Sequence, residues 1–255
     1  MIPKIIHYCW FGGNPLPASA QKCIASWRKY FPDYEIWEWN EDNFDVNIIP
    51  YTCEAYSVKK YAFVSDYVRF WVLYQYGGLY FDTDVEVIRP MDDIVECGAF
   101  MGIEVAPQPG VTVLEVVPGF GLGCNPGLGL GCNPGLGLYQ SVLERYEKLH
   151  FLLDDGSFNS FAVVCITTEA LMNEGLKPVN EIQKVADIWV YPQDYFNPLD
   201  DATGRLNITK NTRSIHWYSK TWMSGSSVWK TRFTRLFHRW FGVDCFVRIK
   251  KIIRK

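Results

Sequence analysis

Apolar and polar positions along the first 90 residues follow two periods in turn, one typical of strands and the other typical of helices. Strands are predicted in KIIHYCWF, in YEIWEWN and in the segment that contains LYFDTDVEVI. Helices are predicted in ASAQKCIASWRKYF and in SVKKYAFVSDYVRFWVLYQ, which is apolar nearly all round and ends just before Gly77 and Gly78. This alternation predicts an α/β domain with a mainly parallel central sheet flanked by helices.

Fewer elements can be read from the pattern after residue 90. A helix is predicted over residues 139–150, a late strand in KVADIWVYPQDYF, and a short strand or loop in SIHWYSKTW. The chain of 255 residues fits one domain, which we assign to residues 1–227, followed by a basic C-terminal helical tail over residues 228–255. In a mainly parallel sheet, ligands bind beyond the carboxyl ends of the strands.

The octapeptide GLGCNPGL occurs twice in tandem, at residues 121–128 and 129–136. Two short copies are too few for a solenoid, and the glycine spacing does not match the dinucleotide-binding pattern G-x-G-x-x-G. Asn-Pro-Gly favours a turn in each copy. We interpret the repeat as a duplication that lengthens a loop beside the site, and a direct role in ligand binding is the alternative.

Cysteine usage and the N-terminal residues both favour a cytoplasmic protein. The eight cysteines are scattered and include no CxxC pair, which argues against a zinc site and against a disulfide framework. The start, MIPKIIHYCWFGG, lacks the features of a secretory signal. Because the chain also has no run of about 18 apolar residues, we expect no membrane-spanning helix.

Charge is distributed unevenly, because nine of the 25 basic residues but only one of the 28 acidic residues lie from Trp229 to the end. In a nucleic-acid-binding protein, basic charge would cover the main domain instead. The tail also repeats apolar residues on one helical face: Trp229, Phe233, Leu236, Phe237 and Trp240. Because basic charge with aromatic residues is typical of an interfacial helix, we expect the tail to dock on an anionic membrane surface, at the inner face of the cell membrane. The alternative is that the apolar stripe packs on the domain.

Two carboxylates, Asp82 and Asp84, interrupt the most strand-like segment of the chain. Strand interiors disfavour aspartate, and an unpaired buried carboxylate is costly. Side chains at i and i+2 converge on one cation only where a strand ends or bends. Carboxylate oxygens suit Mg²⁺ or Mn²⁺, which proteins commonly share with substrate phosphates. The flanking strands therefore make this D-x-D pattern a predicted divalent-metal site.

The helix before this strand carries two charges within AFVSDYVRFWVLYQYGG, Asp66 and Arg69. Residues at i and i+3 share a helix face, so an internal ion pair is one interpretation. The other is that both side chains face a polar ligand, with Arg69 toward a phosphate or sugar oxygen and Asp66 accepting from sugar hydroxyls. The two interpretations are compatible.

Together these motifs resemble a known family. The pattern S-D-x-x-R, an aromatic-rich half-helix and then Y-G-G-L-Y-x-D-x-D-V is similar to the DXD sugar-binding region of glycosyltransferase family 32. IPKIIHYCWFGG resembles the first strand of the family, and SIHWYSKTW resembles its closing segment. The clostridial glucosylating toxins are more distant relatives of this family. The resemblance implies a GT-A-type domain that binds a nucleotide-sugar.

The resemblance also implies roles for individual residues. Asp84 would bind the metal directly, and Asp82 would contact the ribose and, through water, the metal. Asp66 and Arg69 would hold the donor sugar and its diphosphate, and with the two DXD aspartates they form the expected catalytic set. The expected metal ligands are Asp82, Asp84 and His216. The expected donor-binding residues are His7, Tyr8, Trp10, Ser65, Asp66, Arg69, Tyr80, Asp82 and Trp222.

The chain departs from the family in two places. It carries a second copy of the glycine-rich octapeptide, and Lys220 and Thr221 stand where small residues are common in the family.

The implied reaction is retaining transfer of a hexose from a nucleotide-sugar, with UDP favoured, to a saccharide acceptor. A lipid-linked acceptor in polysaccharide synthesis would suit a membrane-docked tail. A divalent cation, Mn²⁺ or Mg²⁺, together with Arg69 would stabilise the diphosphate leaving group.

Two other classes of function remain open at this point. One is a haloacid-dehalogenase-type phosphatase, in which Asp82 would be the nucleophile and Asp84 its acid and base. That motif normally follows the first strand of a chain, whereas here about 80 residues precede it. The other is a non-catalytic sugar-binding module, which would not explain why all four charged residues of the motif are present.

Overall fold

The computed structural model describes residues 1–105, 123–125, 130–132, 135–159, 163–219, 234–235 and 238–239. Strands and helices alternate from the N-terminus onward, because apolar strand segments are separated by longer amphipathic or apolar segments. In chain order the elements are β1 (Ile5–Cys9), α1 (Ala18–Tyr30), β2 (Glu35–Trp39), α2 (Pro50–Ser57), α3 (Tyr61–Tyr76), β3 (Gly78–Tyr80), β4 (Val85–Val87), α4 (Asp92–Val95), β5 (Phe100–Val105), β6 (Gly123–Asn125), β7 (Leu130–Cys132), α5 (Gly137–Tyr146), α6 (Val163–Asn173), β8 (Gln183–Val185), β9 (Ile188–Tyr191), α7 (Gln193–Phe196) and β10 (Ser214–His216).

The central sheet has eight strands in the order β2-β1-β3-β7-β5-β9-β8, with β6 beside β5. Strand β1 runs parallel to β2 and β3, and β5 runs parallel to β9. Strand β7 is antiparallel to both β3 and β5, which gives β1, β3, β5 and β9 one common direction. Their carboxyl ends therefore meet at one edge of the sheet. The predicted α/β class with flanking helices is confirmed, and antiparallel β6, β7 and β8 complete the sheet.

A second, two-stranded sheet joins distant parts of the chain at this edge. Strand β4, which follows the DXD segment, pairs antiparallel with β10, so that His216 lies opposite Val85. The indole N–H of Trp27 in α1 donates to the carbonyl of Val85 at 2.8 Å, and its ring lies 5.4 Å from that of Phe81. Both contacts hold the chain on either side of Asp82 and Asp84.

Apolar side chains cover the sheet on both faces, which explains why the strands read as nearly continuous apolar runs. Leu79 packs in the cluster that contains Trp27, whereas Tyr80 packs in the cluster formed by α2, α3 and α5. Helix α3 contributes completely buried residues such as Val68 and Phe70 to the second cluster. The helix that carries Asp66 and Arg69 is therefore held rigidly against the sheet.

Several elements differ from the predictions. The helix predicted from Ser57 is α3, which begins later, at Tyr61, and α2, which ends at Ser57, was not predicted. The late strand is a hairpin, β8–β9, that turns at Ala186 and Asp187 with left-handed φ values of 48° and 62°. Strand β5 and helix α6 were not predicted, because short buried apolar runs carry no clear period.

The tandem octapeptide contributes strands, so the prediction that it only lengthens a loop is wrong for residues 123–125 and 130–132. The second copy supplies β7, which lies between β3 and β5, where Gly131 pairs with Phe100. The first copy supplies β6, where Asn125 pairs with Gly102 further along the same edge of β5. Glycine-rich segments have low strand propensity, and the neighbouring strands decide their conformation here.

Three described residues of the basic tail contact the domain, namely Arg235, His238 and Arg239. The guanidinium of Arg235 pairs with the carboxylate of Asp201 and donates to the carbonyl of Asp201 at 2.8 Å. Arg205 donates to the carbonyl of Arg239 at 3.0 Å. Every helix among the described residues is too short or too polar to cross a bilayer. The membrane docking, the cytoplasmic location and the boundary at residue 227 stay predictions. The apolar stripe of the tail lies outside the described residues: Trp229, Phe233, Leu236, Phe237 and Trp240.

Candidate functional site

The candidate site lies where β3 ends and the chain turns into β4. Asp82, Asp84 and His216 come together here, each offering a ligand atom within 4.8 Å of the others. The corner before β3 depends on Gly78, whose φ is 94° and whose Cβ, if present, would lie 2.6 Å from the carbonyl oxygen of Ile5. Only glycine lets β3 begin this close to β1.

Asp84 is held by residues that follow β10. One carboxylate oxygen, Oδ1, lies 3.1 Å from Nε2 of His216, and the other accepts from the backbone N–H and the hydroxyl of Ser219 at 2.8 and 3.0 Å. Burial opposes ionisation of Asp84, but the charge of His216 and the hydrogen bonds outweigh it and hold the pKa of Asp84 well below its ordinary value. Asp84 is therefore an ionised carboxylate.

His216 is buried beside this carboxylate. Burial disfavours the imidazolium, yet the negative charge of Asp84 and the hydrogen bond to it raise the pKa of His216 to about 9. Its ring centroid lies 4.1 Å from that of Tyr218. In the absence of a metal ion, the arrangement is a buried, charged Asp84–His216 pair.

Asp82 belongs to a second charged group, built around Arg69. The guanidinium of Arg69 is 5% exposed and lies 2.8 Å from Oδ1 of Asp66 and 3.3 Å from Oδ1 of Asp82. Its Nε donates to the carbonyl of Ser65 at 3.2 Å, and its plane lies 5.1 Å from the centroid of the Tyr80 ring. The hydroxyl of Tyr80 donates to Asp82 at 3.2 Å. The predicted internal ion pair between Asp66 and Arg69 is confirmed.

The two partners of this ion pair titrate differently. Burial lowers the pKa of Arg69, but the charge of Asp82, followed by the contributions of Tyr80 and Asp66, outweighs it and keeps the guanidinium charged. Burial raises the pKa of Asp66 to about 6, with the charge of Asp82 adding to the rise and Arg69 opposing it. Burial and Asp82 thus oppose the ionisation of Asp66, and Arg69 favours it. Its predicted contact with a donor sugar stays a prediction.

His7 lies in the core. Its Nε2 donates to the carbonyl of Gly77 at 2.9 Å, and its Nδ1 accepts from the indole of Trp39 at 3.0 Å. Burial lowers the pKa of His7 to about 4, so the ring is neutral. Both ring nitrogens are occupied and the side chain is 0% exposed, and the predicted contact of His7 with the donor stays a prediction. The hydrogen bond of His7 supports the Gly77 corner.

The other predicted donor-binding residues fall into different environments. Tyr8 is 7% exposed, and its hydroxyl donates to the carboxylate of Glu38. The indole of Trp10 is partly exposed and donates to the carbonyl of Asn14 at 2.5 Å. The hydroxyl of Ser65 donates back to the carbonyl of Tyr61 in its own helix at 3.2 Å. Their contacts with a donor stay predictions. Trp222 lies outside the described residues.

Two residues near the Asp84–His216 pair, Ser219 and Glu104, were not predicted from the sequence. Ser219, which fixes Asp84, lies within the segment SIHWYSKTW, so the family resemblance could have drawn attention to it. Glu104, on β5, lies close to the common carboxyl edge and accepts from the hydroxyl of Tyr218 at 3.3 Å. Nothing in the local pattern around Glu104 marks it as part of the site, because β5 itself was not predicted.

The donor set of the site fits a divalent cation. Two carboxylates and one imidazole offer oxygen and nitrogen ligands, which Mn²⁺ accepts and which Mg²⁺ accepts in part. Within the described part of the chain, these three side chains form the one such group that could hold a metal ion. Their identity agrees with the predicted metal ligands, and the identity of the metal stays a prediction.

Comparison with known families gives one match to this region. Residues 17–100 match the family model described as "Glycosyltransferase sugar-binding region containing DXD motif". The match includes α1, α3, β3 and the Asp82–Asp84 segment. It confirms the resemblance to DXD glycosyltransferases that the motifs predicted.

Curated relatives resemble the same part of the chain. Inositol phosphoceramide mannosyltransferase 3 of Schizosaccharomyces pombe is 33% identical over 104 residues, which are 39% of this chain and 29% of that protein. Inositol phosphoceramide mannosyltransferase 1 of the same yeast is 27% identical over 111 residues, 39% of this chain and 33% of that protein. The chain thus matches about a third of the length of these relatives.

Among solved structures, the PaToxG glycosyltransferase is similar, with a TM-score of 0.47 and 16% sequence identity. The similarity covers 68% of this chain and 70% of that one.

Proposed function

We propose that this chain, which carries the sugar-binding region of the DXD glycosyltransferases in residues 17–100, is a metal-dependent glycosyltransferase that moves a hexose from a nucleotide-sugar to a saccharide acceptor. The observation that carries the proposal is the convergence of Asp82, Asp84 and His216 at the carboxyl edge of the sheet, beside the buried Arg69. This is the edge at which α/β sheets bind ligands.

The chemistry required is stabilisation of a leaving nucleoside diphosphate. A divalent cation held by Asp82, Asp84 and His216 would supply Lewis-acid stabilisation of that charge. The protein's own residues prepare this site before any ligand arrives. Arg69 orients Asp82 through a 3.3 Å contact, and Ser219 orients Asp84 through two hydrogen bonds. Fixed charges of this kind stabilise a transition state more than mobile ones do, because they need no reorganisation during the reaction.

The donor sugar belongs on the α3 side of the metal ligands. The side chain of Asp66 is 14% exposed, and Arg69 pairs with both Asp66 and Asp82. A carboxylate in this position can accept from sugar hydroxyls while Arg69 remains neutralised by two acids. The family resemblance implies that the sugar is transferred with retention of its anomeric configuration.

The acceptor and the donor base are the finer parts of the proposal. The yeast relatives are named as mannosyltransferases of inositol phosphoceramide, a lipid. This supports a lipid-linked saccharide acceptor for the present chain, in agreement with a membrane-docked basic tail. We propose a UDP-hexose as the donor, and a GDP-mannose donor is the alternative that the names of the relatives favour.

Screening a panel of UDP- and GDP-sugars for hydrolysis tests the proposed function. Turnover of at least one sugar should require Mn²⁺ or Mg²⁺ and should be lost in EDTA. Nucleoside diphosphate and Mn²⁺ together should raise the melting temperature more than either does alone, because ligands that bind only the folded state stabilise it. Turnover that is unchanged in EDTA would overturn the metal dependence.

Matched variants distinguish the loss of a site carboxylate from the general effect of removing one negative charge. Asp84→Asn should lose turnover, whereas Asp187→Asn, an equal change of charge at the exposed β8–β9 turn, should behave as the wild type. Phosphate release from p-nitrophenyl phosphate without turnover of any nucleotide-sugar would favour the phosphatase alternative. Stabilisation by nucleotide and Mn²⁺ with no turnover in the whole panel would favour a non-catalytic module.

A further inference from the structure

Two buried tyrosines beside the donor side of the site have hydroxyls without a hydrogen-bond partner. Tyr51 of α2 and Tyr146 of α5 are both 0% exposed, and neither phenolic oxygen lies within hydrogen-bonding distance of a protein group. Their rings touch, with centroids 5.1 Å apart and a T-shaped orientation. Buried hydroxyls are almost always satisfied, so two adjacent exceptions require an explanation.

Several other tyrosines of the domain do have hydrogen-bond partners. The hydroxyl of Tyr80 donates to Asp82, that of Tyr30 donates to the carbonyl of Ile88 at 2.7 Å, and that of Tyr8 donates to Glu38. Tyr51 and Tyr146 therefore do not reflect a general looseness of the aromatic core. Phenylalanine would fill the same space without the cost of two buried polar atoms.

Both tyrosines pack against the face of α3 that carries Asp66. Phe63, Asp66 and Tyr67 lie at positions i, i+3 and i+4, which share one helix face. The ring of Phe63 lies 4.8 Å from that of Phe151, and the ring of Tyr67 lies 5.8 Å from that of Tyr146. The aromatic contacts on either side of Asp66 thus belong to the cluster of the two tyrosines.

The charge of Asp66 reaches both hydroxyls. Burial is the main cause that raises the pKa of Tyr51, and the negative charge of Asp66 is the next. The same two causes, in the same order, raise the pKa of Tyr146. Two phenol donors and one carboxylate acceptor therefore lie near one another in the core. Such an arrangement suits one ordered water molecule, which needs two to four polar partners.

We propose that Tyr51 and Tyr146 are positioning residues for Asp66, whose carboxylate they hold, through one shared buried water molecule, in the orientation that accepts a hydroxyl of the transferred sugar. The hydroxyls of both tyrosines are too deeply buried to touch the sugar themselves. Asp66, at 14% exposure, connects them to the donor side of the site. This part of the inference rests on the proposed glycosyltransferase function.

A double-mutant cycle on stability tests the positioning role without any activity. Tyr51→Phe and Tyr146→Phe should each lower the melting temperature in the wild-type background but not in the Asp66→Asn background, because their effect passes through Asp66. Tyr67→Phe is the matched control. Tyr67 is equally part of the aromatic cluster, but the charge next to its hydroxyl is that of Glu147. Melting temperatures that are unchanged or raised in both Tyr→Phe variants would overturn the proposal, since removal of an unpartnered hydroxyl relieves a cost.

Donor kinetics test the connection to the sugar. In an active enzyme, each Tyr→Phe change should raise the KM for the donor about tenfold, the effect of one weakened hydrogen bond to a charged group, with a smaller change in kcat. A monodeoxy donor that lacks the hydroxyl accepted by Asp66 should be used equally well by the wild type and both variants. Equal tenfold losses with every monodeoxy donor would contradict the role in sugar binding.

The two sets of results distinguish failure of this inference from failure of the proposed function. If Tyr51 and Asp66 are coupled in stability but the protein turns over no nucleotide-sugar, the proposed enzymatic function is contradicted and the positioning contact is supported. If the wild type is active and its Tyr→Phe variants are equally stable and equally active, the enzymatic function is supported and the positioning role of the tyrosines is contradicted.

Discussion

The two buried histidines of the domain, His7 and His216, differ in charge at neutral pH, since His7 is neutral and His216 is protonated. Their exposures are almost equal, at 0% and 8%. The pKa of His7 is lowered to about 4, whereas the pKa of His216 is raised to about 9. Both were predicted as site residues from motifs at the two ends of the domain. The two rings therefore show how different partners give two buried histidines different charges.

The partners of each ring explain the contrast. His7 has neutral partners, the carbonyl of Gly77 and the indole of Trp39, so burial alone decides its charge. His216 lies 3.1 Å from the carboxylate of Asp84, whose charge outweighs the cost of burial. Burial by itself thus gives a neutral core histidine, and a carboxylate partner converts the same environment into a charged site.

Metal removal should have the largest effect on this contrast. EDTA should abolish donor turnover, and Mn²⁺ should restore it. Because Mn²⁺ is paramagnetic and would bind the imidazole nitrogen of His216, sub-stoichiometric Mn²⁺ should broaden the NMR signals of His216 more strongly than those of His7. Absence of broadening at His216 would show that His216 is not a metal ligand.

Asp84→Asn should have the next largest effect. Loss of the carboxylate should reduce kcat by about a hundredfold or more, because a fixed charge at the leaving group is lost. In metal-free protein, the pKa of His216 should then fall below 6.5, so that His216 comes to resemble His7. NMR titration of the ring protons measures this, and Asp187→Asn provides the control. A His216 pKa that stays near 9 in the variant would contradict the assignment of Asp84 as its main partner.

Stability should depend on pH in opposite directions for the two rings. The folded-state pKa of His7 is lowered, so the unfolded chain takes up a proton first, and stability should fall as the pH decreases from 6.5 to about 4. The folded-state pKa of His216 is raised, so its contribution is complete below 6.5 and is lost as the pH rises through about 9. Each shift corresponds to about 3 kcal/mol at most.

Urea unfolding of metal-free protein at pH 4.5, 6.5 and 9 measures these contributions. The depressed pKa of Asp84 does not disturb the comparison above pH 4.5, because that carboxylate is ionised there in both the folded and the unfolded states. Asp66, whose folded-state pKa is raised to about 6, opposes the effect of His7 in this range, but its contribution is common to the wild type and both histidine variants and cancels in their difference. The variant His7→Gln should change the dependence of the free energy of unfolding on pH only below pH 6.5, and His216→Gln should change it only above pH 6.5. The same change in both variants would contradict the contrast between the two histidines.

Deletion of residues 129–136 should have the smallest effect. Because the two octapeptides are identical, removal of either copy produces the same chain, and the remaining copy can supply β7 between β3 and β5. We expect a folded protein whose melting temperature changes by less than about 5 °C and whose two histidine pKa values are unchanged. An unfolded deletion variant would show that both β6 and β7 are needed. A soluble variant that loses only acceptor turnover would assign the repeat a functional role.

Local sequence determined much of the donor side of the site. Asp66 and Arg69 share a helix face, and Gly77 with Gly78 ends that helix and begins β3, so the ion pair and the position of Asp82 follow from spacing within 17 residues of the chain. The α/β class also followed from local periodicity. Such features could be predicted because helix and strand geometry relate residues that are close in sequence.

The tertiary structure alone decided the rest. Asp84 meets His216 and Ser219, more than 130 residues away, because β4 pairs with β10. The strands of the glycine-rich repeat and the side-chain network around Glu104 depend in the same way on distant neighbours. Sequence marked His7 as a candidate for donor binding and His216 as a candidate metal ligand, and only the partners that folding brought to each ring made one neutral and the other charged. The physical reason is that the charge of a buried group depends on which charges lie within a few ångströms, and chain spacing does not specify those contacts.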